Sequence, residues 1–150
     1  MALHVTSRVA LGGVLARIRA AGYPHSGQDH TISDSLYISD SDGNGIEFAH
    51  DTLGRGRVEI ADGGARAIRN DGSIVSVIEP LDLDDPARDT PAEHPARKAL
   101  PADSFVGHIH FRSNQRDRAF DFYVNMLGFR PNGNAPALHR NDRSPWHRDS

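Results

Sequence analysis

Tyr37 and Glu47 stand ten positions apart on either side of Asp40-Ser41-Asp42-Gly43-Asn44-Gly45, a dense turn signal. Apolar residues alternate on both flanks, Leu36 and Ile38 before the turn and Ile46 and Phe48 after it. Pairing Leu36 with Phe48 and Ile38 with Ile46 satisfies one antiparallel register, which sets Tyr37 opposite Glu47 on the other face of the hairpin. Side chains of these types can move or orient a proton; spacing alone is also satisfied by a solvent-facing pair on an ordinary hairpin. The chain of 150 residues carries nine histidines and no cysteine. Imidazole suits iron, manganese and zinc, and a thiolate metal site or a disulfide is excluded. His108, His110 and Arg112 share one face of a strand expected over Phe105 to Arg112, with Ile109 and Phe111 on the other. Two histidines on one strand face are, by themselves, more often surface residues than ligands.

The elements that must position these residues follow from local patterns. Ala2 to Val5 is a short strand candidate. Ser7 is a helix N-cap, and Leu11, Leu15 and Ile18 share one helical face until Gly22 and Pro24 stop the helix. Gly12 and Gly13 inside it cost about 1 kcal/mol each relative to Ala, so this helix depends on packing. Pro24 to Thr31 reads as a loop. The first fifty residues therefore read strand, helix, loop, hairpin. Beyond them, Thr52 to Arg57 is turn-like, Val58 to Ile60 a short strand, Asn70-Asp71-Gly72 a turn and Ile74 to Ile78 a strand. Leu81 to Ala102 is rich in Asp, Pro, Ala and Glu and reads as a linker. Ser113 or Asn114 caps a helix with an apolar stripe of Ala119, Phe122 and Met126, ended by Gly128. Ser7 to Gly22 and Ser113 to Gly128 have the same spacing, and a Pro follows each (Pro24 and Pro131), which marks an internal repeat. Residues 132–150, with His139, Trp146 and His147, show no apolar alternation and read as a disordered tail.

Composition bounds the function. Net charge is −3 with no long block of either sign, against a dedicated nucleic-acid binder. No apolar run is long enough to span a membrane, and the N-terminus shows no signal-peptide pattern, so the expectation is a cytoplasmic protein without membrane or nucleic-acid partners.

The segment Tyr37 to Glu47, with its Asp-Gly-Asn-Gly-Ile-Glu ending, resembles the last hairpin of a module in the vicinal oxygen chelate superfamily, closest to catechol 2,3-dioxygenase-like proteins. Asp29-His30, Glu79-Pro80-Leu81-Asp82-Leu83 and Gly107-His108-Ile109-His110 resemble stretches of the same branch. The resemblance covers roughly residues 1 to 50 and 74 to 131 and is to the middle of a longer protein. It implies an α+β fold of βαβββ modules, one nearly complete at 1–50 and one begun at 104–131, joined by connecting strands and a linker over 51–103. It implies an extradiol ring-cleaving dioxygenase acting on a catechol-like aromatic diol and O₂. Fe(II), or Mn(II), is then held by Glu47 and His108, with Tyr37 hydrogen-bonding the substrate and His30 serving as acid or base. Two other readings share the fold: a non-catalytic small-molecule-binding protein of the bleomycin-resistance kind, and a metal-dependent lyase or isomerase of the glyoxalase kind.

Such a site takes two histidines and a carboxylate. The internal repeat puts the remaining ligand at about position 2, and the family spacing puts it just before Met1; neither offers a histidine. His4 lies two residues along and keeps the same strand face. A single module has nothing to close on, which points to a homodimer in which each copy supplies the missing half.

Overall fold

The alternation in Ser33–Asp51 builds its hairpin in the register that the sequence sets, with Leu36 opposite Phe48, Tyr37 opposite Glu47 and Ile38 opposite Ile46. The computed structural model describes residues 1–61, 64–91 and 99–130; the tail expected at 132–150, with His139, Trp146 and His147, lies outside the described residues. The chain divides into two compact units, Met1–Glu59 with Ala65–Ile109, and Ile60–Gly64 with His110–Ser150. Among the described residues no helix is long and apolar enough to cross a membrane.

In the first unit, β1 (Ala2–His4), α1 (Arg8–Ala20), β2 (Ser26–Asp29), β3 (Ser33–Ser39) and β4 (Gly45–Asp51) follow in order. With β8 (Glu79–Pro80) and β9 (Phe105–His108) they form a six-stranded sheet ordered β8-β2-β3-β4-β1-β9. β1 runs parallel to β4, and the other pairings are antiparallel. The parallel pair needs a crossover, and α1 lies within it. Ser7 caps α1, its hydroxyl accepting from the Ala10 N–H at 3.1 Å. The helix buries Leu11, Val14, Leu15 and Ile18 against Leu36 and the partly buried Ile38 and Phe48. Leu11, Leu15 and Leu36 are fully buried, each worth about 1.5–3 kcal/mol relative to exposure.

Gly12 is where packing compensates a poor helix former. A Cβ there would strike the Thr90 hydroxyl and the Pro86 carbonyl, so the glycine lets α1 approach α2 (Asp84–Arg88) closely. That helix falls inside the stretch expected to be a linker. Asp84 and Asp85 occupy its first turn, where the helix dipole favours them; Arg19 pairs with Asp84 at 3.0 Å and Arg8 pairs with Asp85.

Other expectations are corrected. The loop expected at Pro24 to Thr31 contains β2, held by pairing with both β3 and β8. β5 (Gly56–Ala61), β6 (Gly64–Arg69) and β7 (Ile74–Val75) make a three-stranded sheet in that order. The strand expected through Ile78 stops at Val75, because the Ser76 N–H turns to the Glu79 carboxylate (3.2 Å) and the Ser76 hydroxyl accepts from Ile78 N–H (3.1 Å). The strand expected through Arg112 stops at His108, so the face shared by His108, His110 and Arg112 does not form.

In the second unit, α3 (Arg116–Phe120) continues into a π-helical stretch, Asp121–Met126. Phe111 stacks on Tyr123 with centroids 5.5 Å apart, and Phe122 and Phe129 meet the same ring edge-on. Gly22 and Gly128, which follow the two helices, both take positive φ, +63° and +77°. The next residue bonds back to Ile18 in α1, a Schellman closure, and to Tyr123 in the wider π-helical copy.

Candidate active site

Strand parity gives the sheet two unlike faces. Leu36, Ile38 and Phe48 face α1, so Ser35, Tyr37, Glu47 and Ala49 project from the opposite face. Register carries that face across the sheet: Ala2 pairs with Glu47 on one side and with His108 on the other, past an irregularity in β9 between its partners for Ala2 and Leu3. The pairing of β9 with β1 brings His108 Nε2 to 3.4 Å from Glu47 Oε2. The Glu47 side chain is 13% exposed and that of His108 43%, so the pair is sheltered on the carboxylate side and open on the imidazole side.

The other Glu47 oxygen faces inward. Oε1 accepts from the Ser35 hydroxyl at 2.8 Å and from the Tyr37 phenol at 3.1 Å. Tyr37 also lies 3.0 Å from His30 Nε2, and His30 Nδ1 is 2.7 Å from the Val77 carbonyl. A carbonyl only accepts, so Nδ1 carries a proton. When Nε2 is unprotonated, the one phenolic proton serves either His30 or Glu47; when Nε2 is protonated, both bonds form at once. Burial of the Tyr37 ring, then the nearby Glu47 charge, push its hydroxyl well above the usual phenol range.

Of the four residues singled out from the sequence, Tyr37, His30 and Glu47 form this chain and His108 meets its end. Ser35 was missed, although its two-residue spacing from Tyr37 places it on the same face. Ala2, the position picked out by the internal repeat, sits in the row between Glu47 and His108 and offers only a methyl group. His4 projects from the same face but is engaged elsewhere. Its Nδ1 is 3.4 Å from Asp51, its ring stacks on Phe105 at 5.2 Å, and its centroid is 6.3 Å from that of His108. Among the described residues no group of three or more His, Asp or Glu side chains is placed to hold a metal ion. The donors that do converge, one carboxylate oxygen and one imidazole nitrogen, are types that bind Fe(II), Mn(II) and Zn(II).

The chain is similar to a protein of Bacillus subtilis (strain 168) named catechol-2,3-dioxygenase, with 32% identity over 137 residues. The match covers 89% of this chain and 43% of that protein, so the chain spans less than half of the relative's length. No protein-family model matches the chain, and no solved structure matches it.

Proposed function

We propose that the chain belongs to the vicinal oxygen chelate superfamily and carries part of an extradiol dioxygenase site, in which Glu47 and His108 hold a divalent metal, Fe(II) or Mn(II). The observation that carries this reading is the approach of Glu47 Oε2 and His108 Nε2 to 3.4 Å beside the Tyr37–His30 pair. The similarity to a protein named catechol-2,3-dioxygenase supports it. Glu47 and His108 fit a metal as two of its protein donors; with Ala2 in the third place of the row, one copy supplies two. A homodimer in which a second copy covers this face is the assembly the reading calls for.

A bound metal ion would supply the place where the two oxygens of a catechol-like diol and O₂ come together. The chain's own residues do the rest. His30 Nε2 accepts a proton from the diol, directly or through Tyr37, and its Nδ1 stays anchored on Val77. Tyr37 donates to oxygen and orients what binds beside it.

Oxygen uptake by the Fe(II)-supplied protein with catechol, together with the absorbance of the ring-opened product, tests the proposal. Uptake that is lost in Glu47→Ala and His108→Ala and depressed in His30→Ala supports it. Metal binding without uptake would overturn ring cleavage and leave a lyase or isomerase of the glyoxalase kind. Binding of an aromatic ligand with no metal dependence would leave a small-molecule-binding protein.

A further inference from the structure

The turn that joins β3 to β4 carries Asn44-Gly45, both exposed. Asparagine is a heat-labile residue, because the backbone nitrogen of the following residue can attack its side-chain amide carbon. The attack is least hindered when that residue is glycine, which has no Cβ. The register decides whether the Gly45 nitrogen is within reach of this chemistry. The Asp40 N–H donates to the Asn44 carbonyl at 2.9 Å, which makes 40 and 44 a hydrogen-bonded pair. Alternation then makes Ser39 and Gly45 a non-hydrogen-bonded pair, so the Gly45 N–H points away from β3. One contact opposes the attack. Asp40 Oδ2 accepts from the Asn44 side-chain amide at 2.9 Å, while Asp40 Oδ1 accepts from the backbone N–H groups of Asn44 (2.8 Å) and Asp42 (3.0 Å). The Asn44 amide is thereby held toward Asp40. We propose that Asn44 is a site of spontaneous deamidation, that Asp40 restrains it, and that conversion loosens the end of the hairpin. Tyr37 and Glu47 pair two positions further in.

In the first step the Gly45 nitrogen gives its proton to hydroxide and bonds to Asn44 Cγ. The Cγ–Nδ2 bond breaks, and Nδ2 takes a proton from water and leaves as ammonia. Water then opens the cyclic imide at one of its two carbonyls. Opening at Cγ leaves an aspartate; opening at the backbone carbonyl leaves an isoaspartate, with an added backbone carbon before Gly45. Either product sets a carboxylate near that of Asp40 where an N–H donor stood. The isoaspartate also removes the backbone carbonyl that accepts from the Asp40 N–H.

The test is ageing of the full chain in warm, mildly alkaline buffer, followed by intact mass, peptide mapping that separates isoaspartate, and thermal melting. Wild type, Gly45→Ala and Asp40→Asn are compared. A Cβ on Gly45 meets nothing nearby, so Gly45→Ala keeps the turn and hinders the attack. Asp40→Asn keeps one oxygen for the two backbone N–H groups and removes the acceptor of the side-chain bond. The expected result is the mass gain of an NH₂ replaced by OH, mapped to Asn44, faster in Asp40→Asn than in the wild type and suppressed in Gly45→Ala. The converted protein should melt at a lower temperature than the fresh protein. Conversion confined to Asp40→Asn also supports the proposal, with the restraint complete in the wild type. No conversion at Asn44 in either the wild type or Asp40→Asn, or undiminished conversion in Gly45→Ala, would overturn the site. Conversion no faster in Asp40→Asn would overturn the restraint, and unchanged melting of the converted protein would overturn the loosening. Should Asp40→Asn fail to fold, Asp40→Ser, whose hydroxyl can accept from the same backbone groups, takes its place under the same criteria.

Discussion

Tyr37→Phe removes one oxygen and leaves the ring in place, so it isolates the phenol's part in the site. The lost hydroxyl donates to the Glu47 carboxylate at 3.1 Å and lies 3.0 Å from His30. Hydrogen bonds to charged groups contribute about 1.5–3 kcal/mol, and Glu47 Oε1 keeps its Ser35 donor, so destabilisation of about 1.5–2 kcal/mol is expected at pH 8. The pH dependence is more diagnostic. Burial and then Glu47 raise the Tyr37 pKa above its ordinary value of 10.0. The folded state therefore holds this proton more tightly than the unfolded state. The resulting stability is complete below pH 10 and is lost as pH rises toward the folded value. At pH 11 the wild type should have lost up to about 1.4 kcal/mol by this route, and less to the extent that solvent screens the half-buried ring. The Phe variant has no such loss, so the stability gap measured by urea unfolding should narrow between pH 8 and pH 11. A gap that stays constant or widens would refute the buried, Glu47-facing placement of this hydroxyl.

Gly12→Ala should destabilise although the substitution suits a helix. The propensity gain is about 1 kcal/mol, but the new Cβ meets the Pro86 carbonyl, which is backbone, and overpacking costs about 1–3 kcal/mol. A raised melting temperature would contradict the close approach of α1 and α2. Arg55→Ala should cost about 2–3 kcal/mol by urea unfolding, less than the about 3–5 for a fully buried pair, because the guanidinium is half in solvent. Asp34, 1% exposed, would be left without this partner, so adding Asp34→Asn should recover part of the loss. No recovery would mean that the unpaired Asp34 carboxylate is not what the Arg55 substitution costs.

What could be read from the sequence was what local pattern encodes. The hairpin register followed from Leu36, Ile38, Ile46 and Phe48, and α1 followed from Ser7 and its apolar stripe. β2 was not legible: Ser-Gly-Gln-Asp has no apolar alternation, and its strand form comes from partners on both sides and from Gly27, where a Cβ would strike Leu83. α2 was masked by its Asp, Pro and Ala content and packs where Gly12 of α1 leaves room for Pro86. In the site, the facing of Tyr37 and Glu47 was legible because both lie on one hairpin. The contact between Glu47 and His108 depends on β9 pairing with β1 across the length of the unit, which no local period reveals; only the family resemblance joined them. Ser35 was within reach of parity and was passed over because a serine in a strand carries no chemical signal of its own.

The most direct test of the Glu47–His108 pair is an anaerobic Fe(II) titration read by thermal melting. A ligand at 100 times its dissociation constant stabilises by about 2.7 kcal/mol, well within measurement. The expected result is a clear upward shift in the wild type that is abolished in both Glu47→Ala and His108→Ala. A shift of equal size in all three proteins, or none in the wild type, would contradict a metal site at this pair.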